Sequence, residues 1–213
     1  MTFPFKKEDF DALIFDFGGV LYNIDYQLPI EAFKKLGIQE FDKIYTKTGQ
    51  SQLIDDLETG RISGSTFLNE LAHFFDKPME ESALLNAWNS ILLDLPPSRI
   101  DLLKRLKSNY GIFLLSNTNE LHADCFERQI DSTVGLASFR SAFDAIHYSH
   151  VFGMRKPHPE TFKALCQLHD LNPQRCLFID DSPQHVDGAR KAGLSAYHFI
   201  VGEDDVEVLF KDW

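Results

Sequence analysis

The sequence predicts an α/β protein in which a parallel sheet is flanked by helices and interrupted after its first strand by an all-helical insertion. Three observations lead there. Short apolar runs at 12–17 (ALIFDF), 111–115 (GIFLL) and 176–179 (CLFI) have the length of buried strands, and each stops at polar residues. From residue 97 onwards such runs alternate with stretches of helical spacing, the pattern of a parallel sheet with helices on both faces. Between 26 and 95 only helical spacing occurs.

Taken in order, the first strand ends at Gly18-Gly19, which leaves Asp16 at its carboxyl end. Three apolar stripes follow. They are Ile30, Phe33 and Leu36; then Phe67, Leu68, Leu71, Phe74 and Phe75; then Ala83, Leu84, Ala87, Trp88, Ile91 and Leu92. Ser63 suits the N-cap of the second. Pro96-Pro97 closes the insertion, so residues 1–25 and 96–213 form the predicted core and 26–95 the predicted cap. In the core, Ile100, Leu102, Leu103 and Leu106 mark a helix before the strand at 111–115. A helix at 121–130 and a strand at 143–148 come next. The helix at 159–169 has Pro159 in its first turn, where a missing N–H costs nothing. The strand at 176–179 runs into Asp180-Asp181, a helix spans 183–192 before Gly193, and a last strand covers 196–201.

Composition narrows the function. With 44% hydrophobic and 25% charged residues, a 213-residue chain reads as one globular unit with a modest insertion. Nineteen Phe supply core volume without polar atoms to satisfy. The formal charge of -11 and the lack of a Lys/Arg run argue against nucleic-acid binding. Cys125, Cys166 and Cys176 have neither disulfide-framework nor zinc spacing, and the eight His show no ligand pattern such as HExxH. No apolar stretch approaches the roughly 20 residues of a membrane span. Charges interrupt the N-terminus at once, so it has no signal-peptide core and a cytoplasmic location is expected.

Parallel sheets bind ligands beyond the carboxyl ends of their strands, and the polar clusters fall there. Asp16 before two glycines is either a turn residue or a carboxylate beside backbone that a ligand can approach closely. Adjacent Asp180 and Asp181 repel each other and need a counter-charge when buried, which a hard cation such as Mg²⁺ supplies. The alternative is an exposed acidic loop at a helix N-terminus. Ser116 and Asn117 suit an anion site and an N-cap equally. Lys156, stiffened by Pro157, is either a solvated lysine or a cation that neutralises phosphate. His185 lies in the helix after the acidic pair and is a candidate to face the site.

Four segments in this order, IFDFGGVL (14–21), LLSNTN (114–119), GMRKPHPETF (153–162) and FIDDSPQHVDGARKAG (178–193), resemble the haloacid dehalogenase (HAD) superfamily. Within it the chain is similar to subfamily IA variant 3, to bacterial glucose-1-phosphate phosphatases and to the phosphatase domain of soluble epoxide hydrolases, through GRIS, LSNTNELH and GMRKP. The resemblance implies a three-layer Rossmannoid core with a helical cap. It also implies a Mg²⁺-dependent phosphatase that acts on a small phosphorylated metabolite through an aspartyl-phosphate on Asp16. It implies Mg²⁺ on Asp16, the Gly18 carbonyl and Asp181, with Asp180 beside them. Ser116 and the Asn117 N–H would bind phosphoryl oxygens, and Lys156 would pair with both nucleophile and phosphate.

One position departs from the family pattern. Many family phosphatases carry a second Asp two residues after the nucleophile as general acid and base, and here Gly18 stands there. Good leaving groups, or recruitment of Asp25 or His185, would compensate. Two other readings are a metal-independent haloacid dehalogenase and a non-catalytic phospho-ligand-binding protein; a phosphoryl transferase is a third. The dehalogenase gains nothing from a cation site. Glu58, Arg61 and Trp88 are candidates to face the ligand from the cap, with Trp88 better suited to the cap core.

Overall fold

The computed structural model describes residues 4–38, 41, 52–75 and 78–213. The remaining parts of the predicted cap and the first three residues lie outside the described residues. Five parallel strands form one sheet: β1 (Ala12–Phe15), β2 (Gly111–Ser116), β3 (Ala145–Tyr148), β4 (Cys176–Asp180) and β5 (Ser195–His198). They lie in the order β3-β2-β1-β4-β5. The register sets Phe15 opposite Leu114 on one side and Ile179 on the other, so Asp16, Ser116 and Asp180 emerge together along one edge.

Strand residues alternate between two apolar layers, as the period of two requires. Leu13, Phe15, Ile112, Leu114, Leu177 and Ile179 pack in one layer, under helix α5 (Pro97–Leu106) and helix α6 (Glu120–Thr133). Ile14, Phe113, Leu115 and Phe178 pack in the other, under α9 (Pro159–Leu168) and α10 (Pro183–Lys191). This is a three-layer α/β core. Between β1 and β2, α1 (Gln27–Leu36), α2 (Gln52–Glu58), α3 (Gly64–Ala72) and α4 (Glu81–Asn89) gather a third cluster around Phe33, Ile54, Phe67, Leu71 and Trp88. Trp88 is 1% exposed there, a core residue of the cap. Ser63 caps α3 by accepting from the Thr66 N–H at 3.2 Å.

Some elements differ from the sequence-based expectation. Helices α2, α7 (Leu136–Ser141), α8 (Ser149–Phe152) and α11 (Val206–Leu209) have seven residues or fewer, too short for periodicity to declare. β3 begins only at Ala145, because Asp144 turns its carboxylate back to the Ile112 N–H at 2.8 Å. Ser116 and Asn117 are not N-caps. Asn119 caps α6 instead, accepting from the His122 N–H at 3.1 Å. Among the described residues no helix is long and apolar enough to cross a membrane.

The helical segment sits flush on the core. A Cβ on Gly60, whose φ is +69, would lie 2.2 Å from the His150 carbonyl, and one on Gly64 would lie 2.4 Å from Leu121. Beside them His122 stacks on Trp88, with ring centroids 5.0 Å apart. Its Nε2–H donates to the Trp88 carbonyl at 3.2 Å, and its Nδ1 accepts from Asn119 Nδ2 at 3.2 Å. Burial pushes the His122 imidazole down to about 4, against the opposing pull of its hydrogen bond to the Trp88 carbonyl.

Two outcomes follow from this packing. Ile179→Ala, at a fully buried position of β4, is expected to cost about 2–5 kcal/mol in denaturant unfolding. His122 stays neutral in the folded state while the unfolded chain takes up a proton at its ordinary value. The His122 contribution is therefore full above pH 6.5 and declines on acidification towards pH 4. The expected loss is roughly 3 kcal/mol at most. His122→Asn should flatten that part of the stability–pH curve, and an unchanged slope would refute the assignment.

Candidate active site

The sheet edge opens into a cavity of about 380 Å³ between the core and the helical segment. Asp16, Gly18, Ser116, Asn117, Lys156 and Asp181 all line it. The sequence-predicted residues thus converge from four separate segments.

At its floor lies Lys156, fully buried. Its Nζ donates to Asp16 Oδ1 at 2.7 Å and to Asp180 Oδ2 at 2.6 Å. The surroundings hold this lysine at both backbone and side chain. Asn117 grips its peptide groups: Oδ1 accepts from the Lys156 N–H at 3.0 Å, and Nδ2 donates to the Lys156 carbonyl at 2.9 Å. The Asn117 side chain is therefore spent on the lysine, and the N–H remains the group this residue can offer an anion. Gly188 on α10 admits the next peptide, since a Cβ there would lie 2.0 Å from the Pro157 carbonyl. The Phe178 ring lies beside the ammonium, its centroid 5.3 Å from Nζ.

Asp16 continues β1 by donating its N–H to the Ile179 carbonyl at 2.9 Å. Its Oδ1 also accepts from the Phe17 N–H at 2.7 Å, which fixes the carboxylate. Asp180 is more fully committed. Oδ1 accepts from the Ser182 N–H at 2.7 Å, and His185 Nδ1 lies 3.0 Å away. Asp181 is 7% exposed, so the pair is no exposed acidic loop. The bare Cα of Gly19 makes room for Asp181, because a Cβ would come within 2.7 Å of its Oδ2.

Burial, then the nearby Asp180 charge, drives the Asp16 carboxyl well above the usual range, against the pull of Lys156. Burial opposes the charged form of Asp180 too, yet Lys156 and His185 outweigh it and hold that carboxyl below the ordinary value. Lys156 loses solvation, but its two carboxylate partners raise it overall. Three carboxylates and one ammonium leave two negative charges when all are ionised. A doubly negative pocket whose carboxylates offer oxygen ligands fits a hard dication such as Mg²⁺. Asp16, Asp180 and His185 also bring ligand atoms within 4.8 Å of one another. That closeness reflects the His185–Asp180 hydrogen bond, and a nitrogen suits magnesium poorly.

The other candidates divide. His185 and Glu58 line the cavity. Asp25 is outside the cavity wall and gives its Oδ1 to the Gln27 N–H at 2.8 Å. Arg61 is also outside it and pairs with Asp56 at 2.6 Å on the surface. Sequence reasoning missed Asp55 and Arg155. The available signals were the i,i+3 spacing of Asp55 and Glu58, and the place of Arg155 directly before Lys156. A Cβ on Gly18 would lie 3.0 Å from Ile24 Cδ1, a tight contact that a small shift of that side-chain end would relieve.

Comparison with known proteins agrees with this geometry. The chain is 27% identical over 192 residues to a Bacteroides thetaiotaomicron protein named D-ribitol-5-phosphate phosphatase, covering 90% of this chain and 93% of that one. A Mycobacterium tuberculosis protein named as a phosphatase is also 27% identical, over 87% of this chain and 85% of its own. A crystal structure of a HAD family enzyme from Bacteroides thetaiotaomicron, an Asp-to-Ala mutant with magnesium and inorganic phosphate, superposes with a TM-score of 0.83. It is 30% identical and covers 93% of this chain and 98% of that chain. The haloacid dehalogenase-like hydrolase profile matches residues 10–193, and with a core of that architecture the chain belongs to this family.

Proposed function

We propose that the chain is a magnesium-dependent phosphatase that acts on a small sugar or polyol phosphate, transferring the phosphoryl group to Asp16 and then to water. The observation that carries this reading is the buried Lys156 ammonium bridging Asp16 and Asp180 at 2.7 and 2.6 Å at the cavity floor. The named phosphatase relatives support the activity, and the relative named for ribitol phosphate supports the substrate class. The neighbour crystallised with magnesium and phosphate supports the cation.

In this reading an Asp16 oxygen attacks phosphorus and the bond to the metabolite oxygen breaks, that oxygen taking up a proton. Water then attacks the phosphorus of the aspartyl-phosphate, releasing inorganic phosphate and restoring Asp16. Lys156 pairs with the phosphoryl oxygens, while the Ser116 hydroxyl and the Asn117 N–H bind them. Asp16, the Gly18 carbonyl and Asp181 would hold Mg²⁺; Asp180, beside them, is committed to Lys156, Ser182 and His185. When bound, the ion offsets the charge on the phosphoryl oxygens and the repulsion the attacking carboxylate meets. Gly18 supplies no proton to the leaving oxygen, so the rate depends on the acidity of the leaving group.

Asp16→Asn should abolish magnesium-dependent hydrolysis of p-nitrophenyl phosphate, and EDTA should do the same reversibly. EDTA-resistant release of halide from a 2-haloacid, with no hydrolysis of the ester, would favour the dehalogenase reading instead. Lys156→Gln is expected to lower kcat by about 10²–10³-fold, measured on the same ester. Across a series of phosphate esters, p-nitrophenyl and anomeric phosphates should exceed alkyl phosphates by about 10²-fold. A flat series would show that another group donates the proton.

A further inference from the structure

Two histidines that take no part in the proposed reaction meet outside the active-site cavity. His147 lies on the edge strand β3, and His169 follows the last turn of α9, 22 residues later. Their Nε2 atoms are 2.8 Å apart. Aromatic packing fixes each ring. His147 lies against Phe152, with centroids 4.8 Å apart, and His169 lies against Phe113 at 4.9 Å. Both residues are half-buried, and His147 also lines a second cavity of about 450 Å³, so ions in solvent reach the pair.

Two neutral imidazoles in this arrangement share one hydrogen, since one Nε2 donates and the other accepts. Burial, then the facing His169 ring, pushes the His147 imidazole down to about 4, so near neutrality this ring is uncharged. Neutral imidazoles are ligands for late first-row dications, whereas Mg²⁺ prefers oxygen. Geometry selects among those dications. With metal–nitrogen bonds of roughly 2.0 Å, tetrahedral Zn²⁺ would hold two nitrogens about 3.3 Å apart. Bonds of that length at the right angle of a tetragonal ion would hold them about 2.8 Å apart. That is the separation already present. Among the described residues no third His, Cys, Asp or Glu brings a ligand atom to the pair, so water would complete the coordination.

We infer that His147 and His169 form a two-imidazole site for a tetragonal transition-metal dication, Cu²⁺ or Ni²⁺, which ties the edge strand to the end of α9. On binding, the donating ring moves its hydrogen from Nε2 to Nδ1 through solvent, and each Nε2 gives its electron pair to the metal. No proton is released overall and no electron is transferred. The site stands apart from the phosphatase reading, because neither residue lines the cavity that holds Asp16.

The test is a Cu²⁺ titration of the full chain, without a polyhistidine tag and with excess Mg²⁺ present, read by electron paramagnetic resonance. One equivalent is expected to bind with the splitting of two coordinated nitrogens. By calorimetry Ni²⁺ should bind more tightly than Zn²⁺, the reverse of a tetrahedral site. His147→Ala and His169→Ala should each remove the two-nitrogen signal, whereas Asp16→Asn, in the acidic cluster, should keep it. Paramagnetic broadening in the wild-type chain decides the matter if a variant folds poorly. Substoichiometric Cu²⁺ should erase the ring resonances of His147 and His169 before those of the other histidines. The site is overturned by a titration with no two-nitrogen equivalent, by a signal that survives in either alanine variant, or by broadening that spares these two rings. Zinc binding more tightly than nickel overturns the tetragonal assignment.

Discussion

The site depends on one buried ammonium. Lys156 is out of contact with water, and removing an ion from solvent is costly unless partners replace the lost hydration. Asp16 and Asp180 provide it from the ends of adjacent strands β1 and β4. The same contacts that keep the lysine charged hold the two strand ends in fixed relation. Folding energy and catalytic geometry therefore share one set of bonds. The carboxylates outnumber the lysine, and in the proposed reading a bound cation offsets that imbalance.

Gly18 and Gly19 play different parts beside it. Gly19 lets the Asp181 carboxylate approach the turn after β1, whereas Gly18 is crowded by Ile24. Restoring an aspartate at position 18 would require Ile24 to move. In the proposed reading, the turn thus serves the cation side of the site and leaves bond cleavage to depend on the leaving group itself.

Much of the core was legible in the sequence because buried parallel strands read as unbroken apolar runs with polar residues at their ends. Asp16, Ser116 and Asp180 could be placed at one edge from those runs alone, and Lys156 joined them through the family resemblance. The role of Asn117 was less legible. Its side chain clamps the Lys156 backbone across 39 residues of chain, a contact that no local pattern encodes. The short helix carrying Asp55 and Glu58 was equally hidden, since seven residues hold too little periodicity to distinguish a helix from a loop. Asp25 failed as a site residue for a local reason: its carboxylate is engaged by the backbone of the helix it precedes.

Arg155 and Lys156 are consecutive, yet one faces the cap and the other the nucleophile. The contact with the cap and the contact with Asp16 thus share a single loop, with no spacer between them. Asn117 and Thr161 hold the backbone of this loop, whereas Asp55 and Glu58 lie on a separate helix. An exchange on that helix can therefore alter the contact with Arg155 while the loop that holds Lys156 keeps its backbone hydrogen bonds.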